Sequence, residues 1–190
     1  MREMLAVRYS PYCRHREIPE HLSTMRRYLV FLIVPCIFLL DRWTKILVIQ
    51  NLAYLESIDF TSFFSLVHAR NFGGAFGFLA GYGFAKQVFT FLPLLIIAIL
   101  VYIMLAYRFS MGKMFALALI LSGAIGNIYD RLFLGYVTDF LDFYYQNWHW
   151  PAFNVADISI STGIGLWLLA ELRETLKARK AGLRDNENRH

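Results

Sequence analysis

Four stretches of this chain are apolar for long enough to cross a lipid bilayer, and that feature limits the folds open to it. A hydrocarbon core about 30 Å thick takes roughly 20 helical residues to span. The stretches fall at 28–49, 84–107, 114–134 and 153–172. Backbone polar groups in lipid have no water to bond, so each stretch must satisfy itself as a helix. Composition agrees: 57% of the 190 residues are hydrophobic and 17% are charged. Soluble domains run at about 45–50% and about 25%. That excludes a disordered chain and argues against an ordinary water-soluble enzyme. The expected fold is an all-α integral membrane protein with four transmembrane helices. Two cysteines, Cys13 and Cys36, make no disulfide framework.

The basic residues orient the spans. Of 19 Lys and Arg, 14 lie before the first span, in the turn after the second, or in the tail. Cytoplasmic segments carry the excess of Lys and Arg. Both termini are therefore expected in the cytoplasm, with the connections at 51–83 and 135–152 forming a small loop region outside. The net charge of +5 reports this topology and not a nucleic-acid partner. Residues 1–24 read as a polar, disordered extension, 25–176 as the membrane domain and 177–190 as a basic tail. Met25-Arg26-Arg27 directly precedes the first span and reads as an alternative translation start.

Polar residues at membrane depth are costly, and each is a functional candidate. Here they cluster. Asn71 lies in Arg70-Asn71-Phe72-Gly73-Gly74, Asn127, Asp130 and Arg131 close the third span, and Asp139 follows in Val137-Thr138-Asp139-Phe140. Asn154 and Asp157 open the fourth span. Asn127 and Arg131 are four apart, and Asn154 and Asp157 three apart, so each pair shares a helix face. The third span ends, and the fourth begins, on the outer side. A loop of 17 residues joins Asp139 to Asp157, so the two carboxylates meet easily. Close carboxylates cannot both ionise freely: one keeps its proton and the other stays charged. Such a pair activates water while donating a proton to a carbonyl, which is metal-free aspartic-protease chemistry. Asn and Arg groups beside it would orient the pair and bind a developing oxyanion.

Other chemistries have less support. His68 and His149 are far apart, so no metal site is expected. The serines lack a nearby His base. Asp130 competes with Asp139 for a catalytic place, and Asp142 reads as a solvated loop carboxylate. Asp41 and Lys45 share a face inside the first span, either as a local pair or as site-lining groups. Trp148, Trp150, Tyr144 and Tyr145 read as an interfacial aromatic belt. A small transporter or proton-conducting protein is the alternative from another class. Its polar residues would spread through the depth of the bundle, whereas these gather at one face.

Four segments match one family in order and spacing: Asp41-Arg42-Trp43-Thr44-Lys45, Asn71 to Phe76, Gly123 to Phe140, and Phe153 to Asp157. The sequence resembles the bacterial lipoprotein signal peptidases, also called signal peptidase II. The resemblance implies an aspartyl endopeptidase of the bacterial inner membrane, with its active site near the outer face and no cofactor. Its implied substrates are diacylglyceryl-modified prolipoproteins met among membrane lipids and cut just before the lipidated cysteine. Asp139 and Asp157 are the implied catalytic pair. Asn71, Gly74, Asn127, Arg131 and Asn154 are implied to support the pair or the substrate. Asp41 and Lys45 are implied as a structural polar pair, and Asp130 as a member of an ion pair.

Overall fold

The computed structural model describes residues 30–73 and 85–187. In chain order the elements are α1 (Ile33–Asn51), β1 (Ser57–Asp59), β2 (Phe64–Asn71), α2 (Ala85–Ala106), α3 (Met111–Phe133), β3 (Val137–Tyr145), β4 (Trp148–His149) and α4 (Val155–Glu187). The extension before Met25, and Met25 itself, lie outside the described residues.

Segments of α2, α3 and α4 are long and apolar enough to cross a membrane: Gln87–Ala106, Met111–Phe133 and Val155–Ala181. Helix α1 carries Asp41, Arg42 and Lys45 within its 19 residues and does not stand with them. Its charges turn inward, with Asp41 and Lys45 both buried. The reverse holds for α2, which exposes Phe91, Leu95, Tyr102 and Leu105. Such a face suits hydrocarbon and not water.

Helix α3 is the centre of the bundle, packed against α1, α2 and α4. Leu100 and Met104 of α2 meet Met114, Leu117 and Leu121 of α3 in one buried cluster. In lipid such burial gains little over exposure to acyl chains, so association depends on close contact. Glycine supplies that contact between α3 and α4. A Cβ on Gly123 would stand 2.2 Å from the Ala156 carbonyl oxygen, and one on Gly163 2.7 Å from that of Ala116. At the end away from the strands, Lys113 pairs with Glu171 at 2.8 Å and Glu174 at 2.6 Å.

The fold is not all-α. A four-stranded antiparallel sheet, in the order β1-β2-β3-β4, sits where the sequence leads one to expect outer loops. Phe64 pairs with Phe143 and Asn71 with Val137, with a register irregularity between Leu66 and Ala69. Strand β3 is rich in β-branched and aromatic residues, which suit a pleated surface. Its burial does not alternate, because Thr138, Asp139 and Asp142 are buried along with Val137 and Phe140. That lost alternation hides the strand in the sequence. The sheet rests on the end of α1 and the start of α4, through Phe140 against Val48 and Leu52 with Leu66, Leu141 and Val155 around them. Gly135 makes the turn from α3 into β3, at φ 82°, a left-handed conformation that glycine adopts without strain.

Asp142 is also not a solvated loop carboxylate. It is 8% exposed, accepts from the Ser65 hydroxyl at 3.1 Å and lies 2.8 Å from His149 Nδ1. It therefore fastens β2 and β4 to β3. Asp142→Ala leaves the Ser65 hydroxyl buried without this partner, at a cost of about 1–3 kcal/mol. A lower melting temperature, read by tryptophan fluorescence in detergent, is the expected result. An unchanged melt would contradict the fastening role.

Candidate active site

The site forms where α4 begins. Asn154 caps that helix: its Oδ1 accepts the Asp157 backbone N–H at 3.0 Å. The Asn154 backbone N–H in turn donates to Asp157 Oδ2 at 3.3 Å. This reciprocal capping satisfies two N–H groups that a helix start otherwise leaves unpaired. It also fixes the Asp157 carboxylate at a helix N-terminus, where the backbone dipole favours negative charge.

Strand β3 brings the second carboxylate. Asp139 lies opposite Ala69 of β2, and Asn71 lies nearby on the same strand as Ala69. Asn71 Nδ2 donates to Asp139 Oδ2 at 3.1 Å, and Asn154 Nδ2 donates to Asp139 Oδ1 at 2.7 Å. Helix α3 supplies the third side. Asn127 Nδ2 donates to Asp157 Oδ1 at 2.7 Å. Arg131 donates to the Asn127 carbonyl at 3.4 Å and to the Gly73 carbonyl at 3.2 Å. All four oxygens of Asp139 and Asp157 thus accept an N–H.

Both carboxylates open onto one cavity of about 780 Å³, together with Asn71, Asn127 and Arg131. Apolar and aromatic groups complete the wall, among them Trp150, Phe153, Ile158 and Ile160. A cavity of that size holds a peptide segment or a comparable ligand. Burial pushes the Asp139 carboxyl up to about 7, and the charge of Asp157 adds to the effect. The Asn71 and Asn154 amides and the Lys45 charge act in the opposite direction. Asp139 therefore keeps its proton far above the usual carboxylate range.

That shift has a consequence for stability. The folded chain holds a proton that the unfolded chain releases above the ordinary aspartate value of 3.8. Stability contributed by the protonated carboxyl is full below 3.8 and is lost as pH rises toward about 7. Thermal unfolding of the wild type is expected to show this loss, and Asp139→Asn to show less of it. An identical pH dependence in both proteins would contradict it.

Behind the cavity lies a buried ionic group. Lys45 Nζ stands 2.8 Å from Asp41 Oδ2 and 3.0 Å from Asp130 Oδ2. Arg42 pairs with the other oxygen of Asp130. Asp41 Oδ1 accepts the Ala156 backbone N–H at 2.9 Å, which ties α1 to the first turn of α4. Asp130 Oδ2 accepts the Thr138 backbone N–H at 3.2 Å, which ties α3 to β3. Asp130 is occupied by two cations and is not among the residues lining the cavity.

Of the residues singled out in the sequence, Asp139, Asp157, Asn71, Asn127 and Arg131 line the cavity. Asn154 is buried among them and reaches both carboxylates. Gly74 lies outside the described residues. Two features escape sequence reasoning. The segment from Trp150 to Phe153 forms cavity wall, although Trp150 reads in the sequence first as an interfacial anchor and only second as a substrate contact. Arg42 belongs to the ionic group, and its partner Asp130, on another helix, gives no local signal.

A family model described as signal peptidase (SPase) II matches residues 33–173. A Ralstonia nicotianae protein named lipoprotein signal peptidase is 50% identical, over 71% of this chain and 79% of its own. One of the same name from Cupriavidus pinatubonensis is 45% identical, over 74% of this chain and 81% of its own. Among solved structures, a bacterial membrane enzyme determined by the in meso method at 2.3 Å resolution superposes with a TM-score of 0.70. It is 29% identical, and the match covers 77% of this chain and 89% of that one. The residues that the family model matches reach every strand and helix that carries a site residue, and the chain belongs to the signal peptidase II family.

Proposed function

We propose that Asp139 and Asp157 are the catalytic pair of this endopeptidase, and that it cuts diacylglyceryl-modified prolipoproteins just before the lipidated cysteine. Membership of the family makes the chain an aspartic peptidase that removes signal peptides from prolipoproteins. The observation that carries the residue assignment is the shared cavity: two carboxylates open onto it, and every carboxylate oxygen is held by an N–H.

The chemistry follows from the unequal pair. Asp139 holds a proton near neutral pH, and Asp157 carries the charge. Asp157 takes a proton from a water, whose oxygen attacks the scissile carbonyl carbon. Asp139 gives its proton to the carbonyl oxygen, so a neutral tetrahedral diol forms and no free oxyanion is exposed. Arg131, held by carbonyl partners at 3.4 Å and 3.2 Å, supplies positive charge beside that oxygen. The diol then returns a proton to Asp139 as the C–N bond breaks. Asp157 passes its proton to the departing amine. The products are a signal peptide with a new carboxylate and a lipidated cysteine with a free amine.

The surroundings support a membrane setting. Residues 25–176 form the peptidase unit, and all four helices cross the inner membrane of a bacterium with both termini in the cytoplasm. In this reading α1 crosses despite its charges because they are paired inside the bundle. The sheet stands over the outer end of the bundle. Diacylglyceryl chains stay among membrane lipids, and the substrate arrives by lateral diffusion. The apolar cavity wall receives the peptide and gains about 25 cal/mol per Å² buried.

The test uses the purified chain in detergent with one prolipoprotein in two forms, with and without its diacylglyceryl group. Cleavage of the modified form, read as a shift on a gel, is expected to exceed that of the unmodified form by at least about 100-fold, or about 2.7 kcal/mol. Equal cleavage of the two would sink the substrate assignment.

A further inference from the structure

We propose that Lys45 is a positioning residue that fixes the direction of the two buried site amides and so delivers one side-chain N–H to each carboxylate. This rests on the assignment of Asp139 and Asp157 as the catalytic pair. Lys45 is fully buried, at 0% exposure. Its ammonium meets Asp41 Oδ2 at 2.8 Å, Asp130 Oδ2 at 3.0 Å and Asn127 Oδ1 at 3.2 Å. An ammonium has three protons and no acceptor. Two of these contacts are ion pairs and the third is a hydrogen bond, and because an ammonium only donates, the end of Asn127 that faces Lys45 must be its carbonyl.

The rest follows from donor and acceptor arithmetic. With its carbonyl toward Lys45, Asn127 must point its NH₂ at Asp157 Oδ1, 2.7 Å away. The same Asn127 oxygen accepts from Asn154 Nδ2 at 3.2 Å. Asn154 is fixed from its other end too, because the Asp157 backbone N–H can only donate to its Oδ1, at 3.0 Å. Its NH₂ is thus left to serve Asp139 Oδ1 at 2.7 Å. Reversing Asn127 would set its NH₂ against the Lys45 ammonium and the Asn154 NH₂, and its carbonyl against the Asp157 carboxylate. A buried polar network with such clashes is costly. One cation, which does not touch the cavity, thus orders the Asn127 donor on Asp157 directly, and it acts with the Asp157 backbone N–H in ordering the Asn154 donor on Asp139.

The charges around Lys45 keep this arrangement neutral. Asp41 on α1 and Asp130 on α3 face it, and Arg42 on α1 balances Asp130. Beyond Asn127 stand Asp157 on α4, Asp139 on β3 and Arg131 on α3. The Lys45 charge also favours the ionised form of Asp139. Removing it would let Asp139 hold its proton to higher pH.

The experiment compares wild type, Lys45→Arg, Lys45→Met and the double variant Asp41→Asn with Lys45→Met. The single Met variant leaves Asp41 without its cation and is at risk of unfolding (a buried charge stripped of its partner costs a fold heavily). The double variant removes the pair together and keeps a carbonyl for the Ala156 N–H. Folding is checked by thermal melting in detergent, and kcat, KM and the pH dependence of kcat are read on the diacylglyceryl substrate. For the folded variants that carry Met at 45, kcat is expected to fall by about 100-fold, as for a small misplacement of reacting groups, with KM little changed, and Lys45→Arg, which keeps a donor-only cation, is expected to lose less. In the double variant the alkaline limb of the kcat profile moves to higher pH. A folded double variant with wild-type kcat and an unmoved limb overturns the proposal. Asp139→Asn and Asp157→Asn run beside it: if either still turns over, the catalytic pair is wrong, whatever Lys45 does.

Discussion

Asp139→Asn and Asp157→Asn are each expected to lower kcat/KM for the modified prolipoprotein by about 10⁴-fold, the upper range for a lost acid or base. An amide matches a carboxyl group in shape and keeps the packing, although its NH₂ end faces an N–H that the carboxylate accepted, so melting curves must separate the lost proton transfer from the lost hydrogen bond. In Asp157→Asn the new amide still offers an oxygen to the Asn154 N–H, which in the wild type meets Asp157 at 3.3 Å. The capping of α4 therefore survives, and the variant folds. In Asp139→Asn the new side chain still fills the space between Asn71 and Asn154. What disappears is the proton that Asp139 holds up to about 7, or the charge that draws a proton from water. Single-turnover assays on purified variants, with melting curves beside them, measure both. A folded variant within about tenfold of wild type, or about 1.4 kcal/mol, would move catalysis to another residue.

Gly123→Ala is expected to damage both fold and activity, although it adds one methyl group. The new Cβ would lie 2.2 Å from the Ala156 carbonyl oxygen and 2.7 Å from an Ile160 carbon. The first of these is backbone and cannot rotate away, so α3 and α4 must separate. Overpacking of this kind costs about 3 kcal/mol or more, at the top of its usual range. The displaced segment also carries the site. Ala156 donates its N–H to Asp41 at 2.9 Å, and the next residue is Asp157. Separation therefore loosens the tie to α1 and shifts one carboxylate relative to Asp139. A large loss of folded protein after detergent extraction, and at least about 100-fold lower activity in what remains, is expected. Wild-type yield and rate would show that the two helices do not approach through Gly123.

Much of this was legible in the sequence. The positions of α2, α3 and α4 followed from apolar length, that of α1 from an apolar run interrupted by Asp41, Arg42 and Lys45, and Asn127, Arg131, Asn154 and Asp157 stood out because polar residues are expensive at membrane depth. Spacing alone placed Asn127 with Arg131 and Asn154 with Asp157 on common faces. The sheet was not legible. Asp139 and Asp142 lie three apart on β3 and are both buried, the first by the site and the second by Ser65 and His149. A strand buried on both faces gives no period-two pattern to read. The ionic group was half legible. Asp41 and Lys45 are four apart on one helix, whereas Arg42 and Asp130 meet only through tertiary packing.

The most direct test of the unequal carboxylate pair is the pH dependence of cleavage by the purified wild type at saturating modified prolipoprotein. Asp139 must be protonated to donate, so the rate should fall as pH rises through about 7. Asp157 must be ionised to accept, so it should also fall toward acid, giving a bell. Asp139→Asn should remove the activity across the whole range. A rate that climbs steadily from about pH 5 to about pH 9, roughly four decades in proton activity, would contradict the account, because Asp139 would then be working without its proton.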